Sequence, residues 1–292
     1  MEALVTGPGG LGFETAAAFA QAGASVILAG RSPDKGEAAL RAIRARTPAA
    51  NVRFELLDLA SLGSIDACAR RLIDAGTPLD VLVNNAGVMT PPRRQTTSDG
   101  FELQFGTNYL GHYALTAHLM PLLRRAPAPR VTSVASVAHL RARIDFDDLQ
   151  GERKYGGWRQ YGESKLAMIL FARELQRRSD LGGWGVLSNA AHPGFAQTDL
   201  IANGAGAIPA MLSRIFTGPV SHSAGAGAQP QIYAATSPDA LPGGYYGPSG
   251  PMELRGPTGI AHVAKAGRDP ETARRLWDVS AELTAVSWPT TP

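Results

Sequence analysis

The sequence is poor in cysteine, in charged residues and in long hydrophobic runs. One cysteine, Cys68, in 292 residues excludes an internal disulfide, and it lacks a neighbouring Cys or His at the spacing of a structural zinc site. The apolar runs are too short to span a bilayer, and Asp, Glu, Lys and Arg make up 18% of the chain. These absences predict a protein without a metal site or a membrane span, and the near absence of cysteine is typical of the reducing cytoplasm.

The distribution of charge argues against a nucleic-acid partner. Lys and Arg number 28 against 25 Asp and Glu, and the basic residues are scattered singly or in pairs such as Arg124 and Arg125. A nucleic-acid interface needs a basic patch or stripe, so we interpret these pairs as solvated ends of helices and loops. Met1 is followed directly by Glu2 and a short apolar run, which reads as a first strand, so we expect no signal peptide.

Short β-rich segments alternate with longer segments of helical periodicity along the chain. The predicted strands are residues 3–5, 25–29, 52–56, 79–83, 131–134 and 186–191. The predicted helices begin at about Phe13 and at Pro33, and further helices cover 61–73, 101–123 and about 160–177. Gly23 lies where the first helix should end, and the pairs Ser32-Pro33 and Asp269-Pro270 are typical of helix starts. The alternation predicts an α/β chain with a doubly wound parallel sheet, the Rossmann fold, in a single domain spanning residues 1–292.

A segment rich in Gly, Ala, Ser and Pro runs from Ala202 to Ala228. Its apolar side chains have the spacing of one face of a short helix. They are Ile208, Met211, Leu212, Ile215 and Phe216. This pattern predicts a substrate lid over residues 200–228, after the sixth strand. A dimer contact or a surface excursion remains the alternative.

The stretch VTGPGGLG, from Val5 to Gly12, has the form of a phosphate-binding loop. Gly7, Gly9 and Gly12 fit the pattern GxGxxG, directly after a strand and directly before a helix. The pattern alone is weak, but in this position it predicts dinucleotide binding, with a structural turn as the alternative. The residues expected at the cofactor are Gly7, Gly9, Gly10, Leu11 and Gly12.

The end of the second predicted strand favours NADP as the cofactor. An NAD site usually carries Asp or Glu about 20 residues beyond the loop, whereas this strand ends in Ala29-Gly30-Arg31-Ser32. Arg31 offers a bidentate cation and Ser32 a hydroxyl, which are groups that bind a 2′-phosphate. A plain surface charge is the alternative for Arg31.

The segment YGESK places Tyr161 and Lys165 four positions apart, so on a helix they share one face. A free tyrosine titrates near ~10, and lowering that pKa by roughly three units takes about 4 kcal/mol. A neighbouring lysine and an oxidised nicotinamide are both cations that act in that direction. A Tyr and a Lys at this spacing are common in proteins, so the pair indicates a catalytic site only together with the motifs around it.

A series of motifs along the chain resembles the classical short-chain dehydrogenase/reductase family, and within it the retinol dehydrogenase branch. The motifs are, in chain order, TGPGGLG, the pair Asp58-Leu59, NNAG at 84–87, DGFELQFGTNYLGHY at 99–113, SVASVAH at 133–139, YGESK, HPGFAQT at 192–198 and the tail TARRLWDVS at 272–280. The resemblance covers nearly the whole chain, and the combination is specific.

The resemblance implies a catalytic set of Asn108, Ser136, Tyr161 and Lys165. Tyr161 would give a proton to the carbonyl oxygen while NADPH gives a hydride to the carbon. Lys165 would hold the nicotinamide ribose and lower the pKa of the tyrosine. Ser136, rather than Ser133, would position the substrate, and Asn108 would anchor a water relay to the lysine. For Asn108, capping or kinking its helix is an alternative role.

The resemblance also implies further cofactor contacts beyond the glycine loop. Asp58 and Leu59 match the adenine contacts, while Asn85, Ala86 and Gly87 match the stretch along the adenosine ribose. Pro193, Gly194 and Thr198 match the segment that meets the carboxamide. The pair Asn84-Asn85 has a structural role as its alternative, holding neighbouring strands together.

Two features depart from the family pattern. The loop is one residue shorter than the usual TGxxxGxG, which predicts weaker or rearranged cofactor binding. Relatives often carry residues before the first strand, and in the retinol branch a membrane anchor, whereas this sequence opens on the strand. We therefore expect a soluble enzyme.

Together the motifs predict an NADP(H)-dependent oxidoreductase that interconverts a bulky hydrophobic aldehyde or ketone and its alcohol. A non-catalytic NADP-binding scaffold or sensor is the alternative, and reduction of a C=C bond on the same scaffold is a third. Family members resembling this chain are often dimers or tetramers, so a homodimer or homotetramer through the helices at 101–123 and 160–177 is expected. The histidines His112, His118, His139 and His192 and the cysteine Cys68 are expected to be packed residues without metal.

Overall fold

The strands form one eight-stranded sheet in a computed structural model that describes residues 1–194 and 223–289. The strands are β1 (Glu2–Thr6), β2 (Ser25–Gly30), β3 (Val52–Leu56), β4 (Val81–Asn84), β5 (Arg130–Val134), β6 (Leu187–Ala191), β7 (Tyr245–Pro248) and β8 (Thr258–Ile260). Their order is β3-β2-β1-β4-β5-β6-β7-β8, and only the pairing of β7 with β8 is antiparallel among them. The predicted doubly wound fold is confirmed, with β1 inside the sheet between β2 and β4.

The helices fill the intervals between the strands. They are α1 (Gly10–Gln21), α2 (Pro33–Arg46), α3 (Leu62–Ala75), α4 (Gly111–Leu123), α5 (Gly157–Gly182), α6 (Ala224–Thr236) and α7 (Pro270–Thr284). The expected caps are present: the Ser32 hydroxyl accepts the backbone N–H of Lys35 at the start of α2, and the Asp269 carboxylate accepts two backbone N–H groups of α7. Gly23 follows the end of α1 with a φ of 83°, as its position predicts.

One predicted helix begins later than expected. The range from Phe101 included Glu102, but Glu102 pairs with Thr96 in an isolated bridge. The carboxylate of Glu102 then accepts the backbone N–H of Phe105 at 2.7 Å. Residues 103 and 104 are already helical, and the π-helical segment Phe105–Leu110 follows them and leads directly into α4. The side chain of Glu102 therefore supplies the start signal that periodicity alone did not reveal.

The predicted lid at 200–228 falls largely outside the described residues, as does Thr198. The last part of that range is described and belongs to α6. The Ser223 hydroxyl accepts the backbone N–H of Ala226, and Ala228 is fully buried. Gln231 of this helix donates a hydrogen bond to the Thr15 hydroxyl of α1 at 2.6 Å. Of the predicted lid range, Gly227 and Ala228 are thus buried in the body of the protein, while Ala226 is exposed.

The apolar core lies on both faces of the sheet. Helices α1, α2 and α6 cover one face, while α3, α4, α5 and α7 cover the other. Cys68 is fully buried in the second layer, and burial raises the pKa of its thiol to about 11. The interpretation of Cys68 as a small core residue is confirmed. None of the described helices combines the length and hydropathy needed to cross a bilayer.

The surface predicted for contact between subunits is already used within the chain. All side chains at 161–172 of α5 are buried in a single copy, and α7 packs along α4 and α5. Tyr109 shares a hydrogen bond with the Ser280 hydroxyl at 2.7 Å, and the Tyr113 hydroxyl donates to the carbonyl of Trp277 at 3.1 Å. The chain's own final helix therefore covers this part of α5, and the predicted contact through the helices at 101–123 and 160–177 stays a prediction. The oligomeric state itself stays a prediction.

Candidate active site

The glycine loop turns the chain from β1 into α1. Gly7 has a φ of 88°, which L side chains rarely adopt, and its N–H donates to the carbonyl of Ala29 at 2.7 Å. A Cβ on Gly12 would lie 2.0 Å from the Gly7 carbonyl oxygen, so only glycine fits there. Helix α1 begins at Gly10, three residues before the predicted start. The shortened loop thus still brings a helix N-terminus directly behind β1, the arrangement that binds a pyrophosphate.

Asn85 is held by a network that joins β1, β4 and α6. The Thr6 hydroxyl accepts the backbone N–H groups of Asn85 and Ala86, both at 2.9 Å. The Asn85 amide donates to the Thr6 carbonyl at 2.7 Å and accepts from Gln231 at 3.2 Å. The side chain of Asn85 therefore links these elements, as its structural alternative expects, and its contact with the cofactor stays a prediction. Gln231, more than 140 residues away, carries no sequence signal for this contact.

Arg31 lies at the end of β2 with an exposed side chain. It makes no hydrogen bond or ion pair within the described parts of the chain, so its guanidinium is available to a ligand. Ser32 caps α2, and its hydroxyl can still donate its proton. Lys35 follows in the first turn of α2 and is exposed. Sequence reasoning did not select Lys35, although it follows the capping serine by one helical turn.

Asp58 shapes the turn that follows β3. Its carboxylate accepts the backbone N–H of Ala60 at 3.0 Å, and its own N–H donates to the Ser64 hydroxyl at 2.9 Å. Leu59 is buried, and its carbonyl packs against Gly111 at the start of α4. Contacts with α3 and α4 therefore hold Asp58 and Leu59 in place after the end of β3.

Ser136 lies close to Tyr161, although they lie on different elements, and its side chain acts to lower the pKa of the phenol. Ser136 follows β5 and caps the short 3-10 helix Val137–Arg141, where its hydroxyl accepts the backbone N–H of Ala138 at 3.2 Å. Tyr161 lies on the second turn of α5. Ser133 is instead buried within β5. The geometry brings Ser136, and not Ser133, to the tyrosine.

Lys165 lies beneath the Tyr161 ring. Its ammonium is 5.7 Å from the ring centroid and donates to the Val134 carbonyl at 2.9 Å. Burial lowers the pKa of Lys165 to about 8. Burial also raises the pKa of Tyr161 to about 12, against the smaller effect of the Ser136 side chain. Desolvation thus dominates the pKa of the phenol in the protein without cofactor. The lowering of that pKa by Lys165 together with a bound nicotinamide stays a prediction.

Asn108 lies in the π-helical segment, and its side chain contacts the segment after β4. The Asn108 amide accepts the backbone N–H of Val88 at 2.7 Å and donates to the Val88 carbonyl and the Ser164 hydroxyl, both at 3.0 Å. A Cβ added to Gly87 would lie 3.0 Å from the Asn108 oxygen and 3.7 Å from the Lys165 nitrogen. The asparagine thus reaches the lysine's surroundings and also belongs to an irregular helical turn.

His112 connects Asn108 to the glycine loop. Its Nδ1 contacts the Asn108 carbonyl at 2.8 Å, and its Nε2 contacts the Thr6 hydroxyl at 2.9 Å. Because a carbonyl only accepts, Nδ1 carries the proton and Nε2 accepts from Thr6. Burial lowers the pKa of His112 to about 4, so the ring is neutral. The i, i+4 spacing from Asn108 is the sequence signal for this contact.

The segment after β6 is tied to a loop near the C-terminus. His192 Nδ1 accepts the backbone N–H of Gly194 at 3.2 Å, so its Nε2 carries the proton and donates to Glu253 at 3.1 Å. Glu253 also accepts the backbone N–H of His262. These contacts hold the segment at Pro193 and Gly194, which is predicted to contact the carboxamide of the cofactor. Glu253 lies outside every motif, so sequence reasoning missed it.

Comparisons with known proteins identify relatives of this chain. A family model described as short chain dehydrogenase matches residues 2–205. The chain is 40% identical over 281 residues to retinol dehydrogenase 12 of Mus musculus, covering 96% of this chain and 84% of that protein. It is 39% identical over 289 residues to polyprenol dehydrogenase of Mus musculus, covering 97% and 83%. The crystal structure of an uncharacterized protein from Mycobacterium paratuberculosis is 37% identical with a TM-score of 0.81, covering 99% of this chain and 95% of that chain.

Proposed function

The chain belongs to the short-chain dehydrogenase family of oxidoreductases, and we propose that it interconverts a bulky apolar aldehyde or ketone and its alcohol with NADP(H). The observation that carries this proposal is the convergence of Ser136, Tyr161 and Lys165 from two elements at one point. Their meeting supports a site for proton transfer.

In the proposed reaction, Tyr161 is the acid in the direction of reduction. Burial keeps its pKa near 12, so the phenol carries its proton at neutral pH and can donate it to the carbonyl oxygen. The Ser136 hydroxyl orients that phenol and the substrate oxygen. The Lys165 cation beneath the ring favours the phenolate that forms as the proton leaves. The nicotinamide supplies the hydride when bound.

Members of this family bind a nicotinamide cofactor, and the residues after β1 and β2 fit NADP(H). The glycine loop and the start of α1 would hold the pyrophosphate, since Gly12 leaves no room for a side chain that would block it. The free guanidinium of Arg31 and the Ser32 hydroxyl would bind the 2′-phosphate. Asp58 and Leu59 would border the adenine.

An apolar substrate is supported by the side chains around Tyr161. Trp158 lies one turn earlier on α5, 42% exposed, with its ring edge-on to Tyr161 at 6.1 Å. Leu140 is 43% exposed on the short helix that follows Ser136. The similar proteins named above are dehydrogenases of retinol and polyprenol, both long apolar alcohols. A lid within 200–228, a cytoplasmic location and a homodimer or homotetramer stay predictions.

The test removes a single oxygen atom. We expect Tyr161→Phe to lower turnover of apolar aldehydes about 10³-fold, which lies within the range for loss of a general acid, while NADPH affinity stays within about twofold. Tyr155→Phe is the matched control, because that phenol donates to the Pro91 carbonyl nearby and takes no part in the proposed reaction. The assays are NADPH oxidation with all-trans-retinal and decanal, and titration with NADPH and NADH by nicotinamide fluorescence.

Three results would count against the proposal. Undiminished turnover in Tyr161→Phe would refute the role of the tyrosine. NADPH binding without turnover of any carbonyl substrate by the wild-type protein would favour the non-catalytic scaffold. Stronger binding of NADH than of NADPH would refute the cofactor assignment.

A further inference from the structure

Tyr245 carries a buried hydroxyl that makes no hydrogen bond within the described parts of the chain. The residue is the first of β7 and is 3% exposed. Its hydroxyl oxygen is shielded from solvent and bonds to none of the described residues. Buried polar atoms in folded proteins nearly always have a partner, so an exception calls for an explanation. A binding site that uses the group is one such explanation.

The ring of Tyr245 is fixed between two histidines. The His139 ring meets it edge-on, with centroids 5.4 Å apart, and the His192 ring lies against it at 5.2 Å. His139 is itself held by the Ser136 carbonyl at 2.7 Å and by the backbone N–H of Ala264 at 3.3 Å. The two histidines come from the segments that carry Ser136 and Gly194. The free hydroxyl is therefore held rigidly between the two segments that border the proposed reaction site.

The register of the sheet sets the side on which Tyr245 lies. Tyr245 is aligned with Ala190, which is aligned with Ser133 on β5. Side chains aligned across neighbouring strands point to the same face, and Tyr245 and Ala190 belong to the core cluster that includes Leu166 of α5. Tyr245 thus lies on the face that α5 covers, and α5 carries Tyr161.

Electrostatics agrees with this placement. Burial, the nearby Glu253 carboxylate and the neighbouring phenol of Tyr161 together raise the pKa of Tyr245 well above its usual value. Tyr245 therefore keeps its proton throughout the range in which enzymes work. Its hydroxyl can therefore donate a hydrogen bond, and none of the described residues supplies the acceptor.

We propose that the Tyr245 hydroxyl is a substrate-binding group, which donates a hydrogen bond to an oxygen atom of the carbonyl compound held beside Tyr161. This assignment rests on the proposed function of the same site. Tyr245 takes no part in the proton transfer. The hydroxyl favours the binding of a compound that places an oxygen acceptor at this point, because a compound without one leaves the buried hydroxyl unpaired.

The test is Tyr245→Phe in the full chain, with Tyr246→Phe as the matched control. Tyr246 is the next residue of β7 and is equally buried, but its hydroxyl already accepts the backbone N–H of Leu241. We expect Tyr245→Phe to lower kcat/KM for an aldehyde about tenfold, mainly through a higher KM, because the bond forms in the ground state and the transition state alike. NADPH affinity should stay within about twofold, and the Tm should equal or exceed that of the wild type. Tyr246→Phe should keep the wild-type kinetics and show a lower Tm.

The outcomes separate this inference from the proposed function. Turnover by the wild-type protein with unchanged kinetics in Tyr245→Phe would overturn the assignment of Tyr245 alone. A Tm several degrees lower in Tyr245→Phe would show that the hydroxyl has a structural partner, and would also overturn it. Absence of carbonyl turnover in the wild type would refute the proposed function and this assignment with it.

Discussion

Protonation of His112 should destabilise the protein, because the ring is buried as a neutral hydrogen-bonding link. Burial lowers its pKa from 6.5 to about 4, while the hydrogen bond to the Asn108 carbonyl acts in the opposite direction and the Lys165 cation adds to the lowering. Protonation would place a hydrogen on Nε2, which accepts from Thr6. The perturbation that tests this link is His112→Gln, in which an amide replaces a titrating ring.

The size of the effect follows from the shift. Between pH 6.5 and pH 4 the unfolded chain binds a proton on His112 that the folded chain does not bind, so the free energy of unfolding falls as the pH falls. A shift from 6.5 to about 4 corresponds to about 3 kcal/mol. This contribution is fully present above pH 6.5 and is lost toward pH 4.

The assay is urea unfolding at pH 7, 6, 5 and 4.5 for the wild type and for His112→Gln. We expect the stability difference between them at pH 7 to shrink by about 2–3 kcal/mol at pH 4.5, because the variant lacks the group that titrates. Other titrating residues are common to both proteins and cancel. His262→Gln is the control, since it replaces an exposed histidine by the same amide. A stability difference between wild type and His112→Gln that does not change with pH would refute the reasoning.

Two further predictions concern the cofactor and the positioning of Ser136. Arg31→Ala should weaken NADPH binding about 10- to 100-fold, the value of one or two charge-assisted hydrogen bonds, and leave NADH binding unchanged in the fluorescence titration. An equal loss for both cofactors would exclude recognition of the 2′-phosphate. His139→Asn keeps a donor near the Ser136 carbonyl, whereas His139→Gln does not, so we expect near wild-type kcat in the first and about a tenfold loss in the second, without a change in NADPH affinity. Equal kcat values in the two variants would show that the bond to Ser136 does not position the serine.

Much of the site could be predicted because its signals are local. The turn at Gly7, the cap at Ser32 and the spacing of Tyr161 and Lys165 each depend on residues a few positions apart. The choice of Ser136 over Ser133 rested on alignment with a family motif. Ser136 lies close to Tyr161, and its catalytic role stays a prediction. Predicted strand boundaries differ from the observed ones by two residues at most.

The features that could not be predicted depend on contacts between distant segments. Glu253 meets His192 across 61 positions, and Gln231 meets Asn85 across 146. The covering of α5 by α7 likewise joins residues about 100 positions apart, such as Arg178 and Asp278. Periodicity and motif spacing carry no information about such pairs, because they report only the local conformation of the chain.

The sequence by itself determined the alternation of strands and helices, the phosphate-binding turn and the chemical types gathered at the site, since these follow from backbone preferences and from residues close along the chain. Only the tertiary structure decided how those groups ionise and which of them lack a partner. The pKa of Tyr161 rises because packing removes water from the phenol. β7 places the Tyr245 ring between two histidines, where its hydroxyl bonds to none of the described residues. Desolvation is a property of the assembled core and not of any single segment.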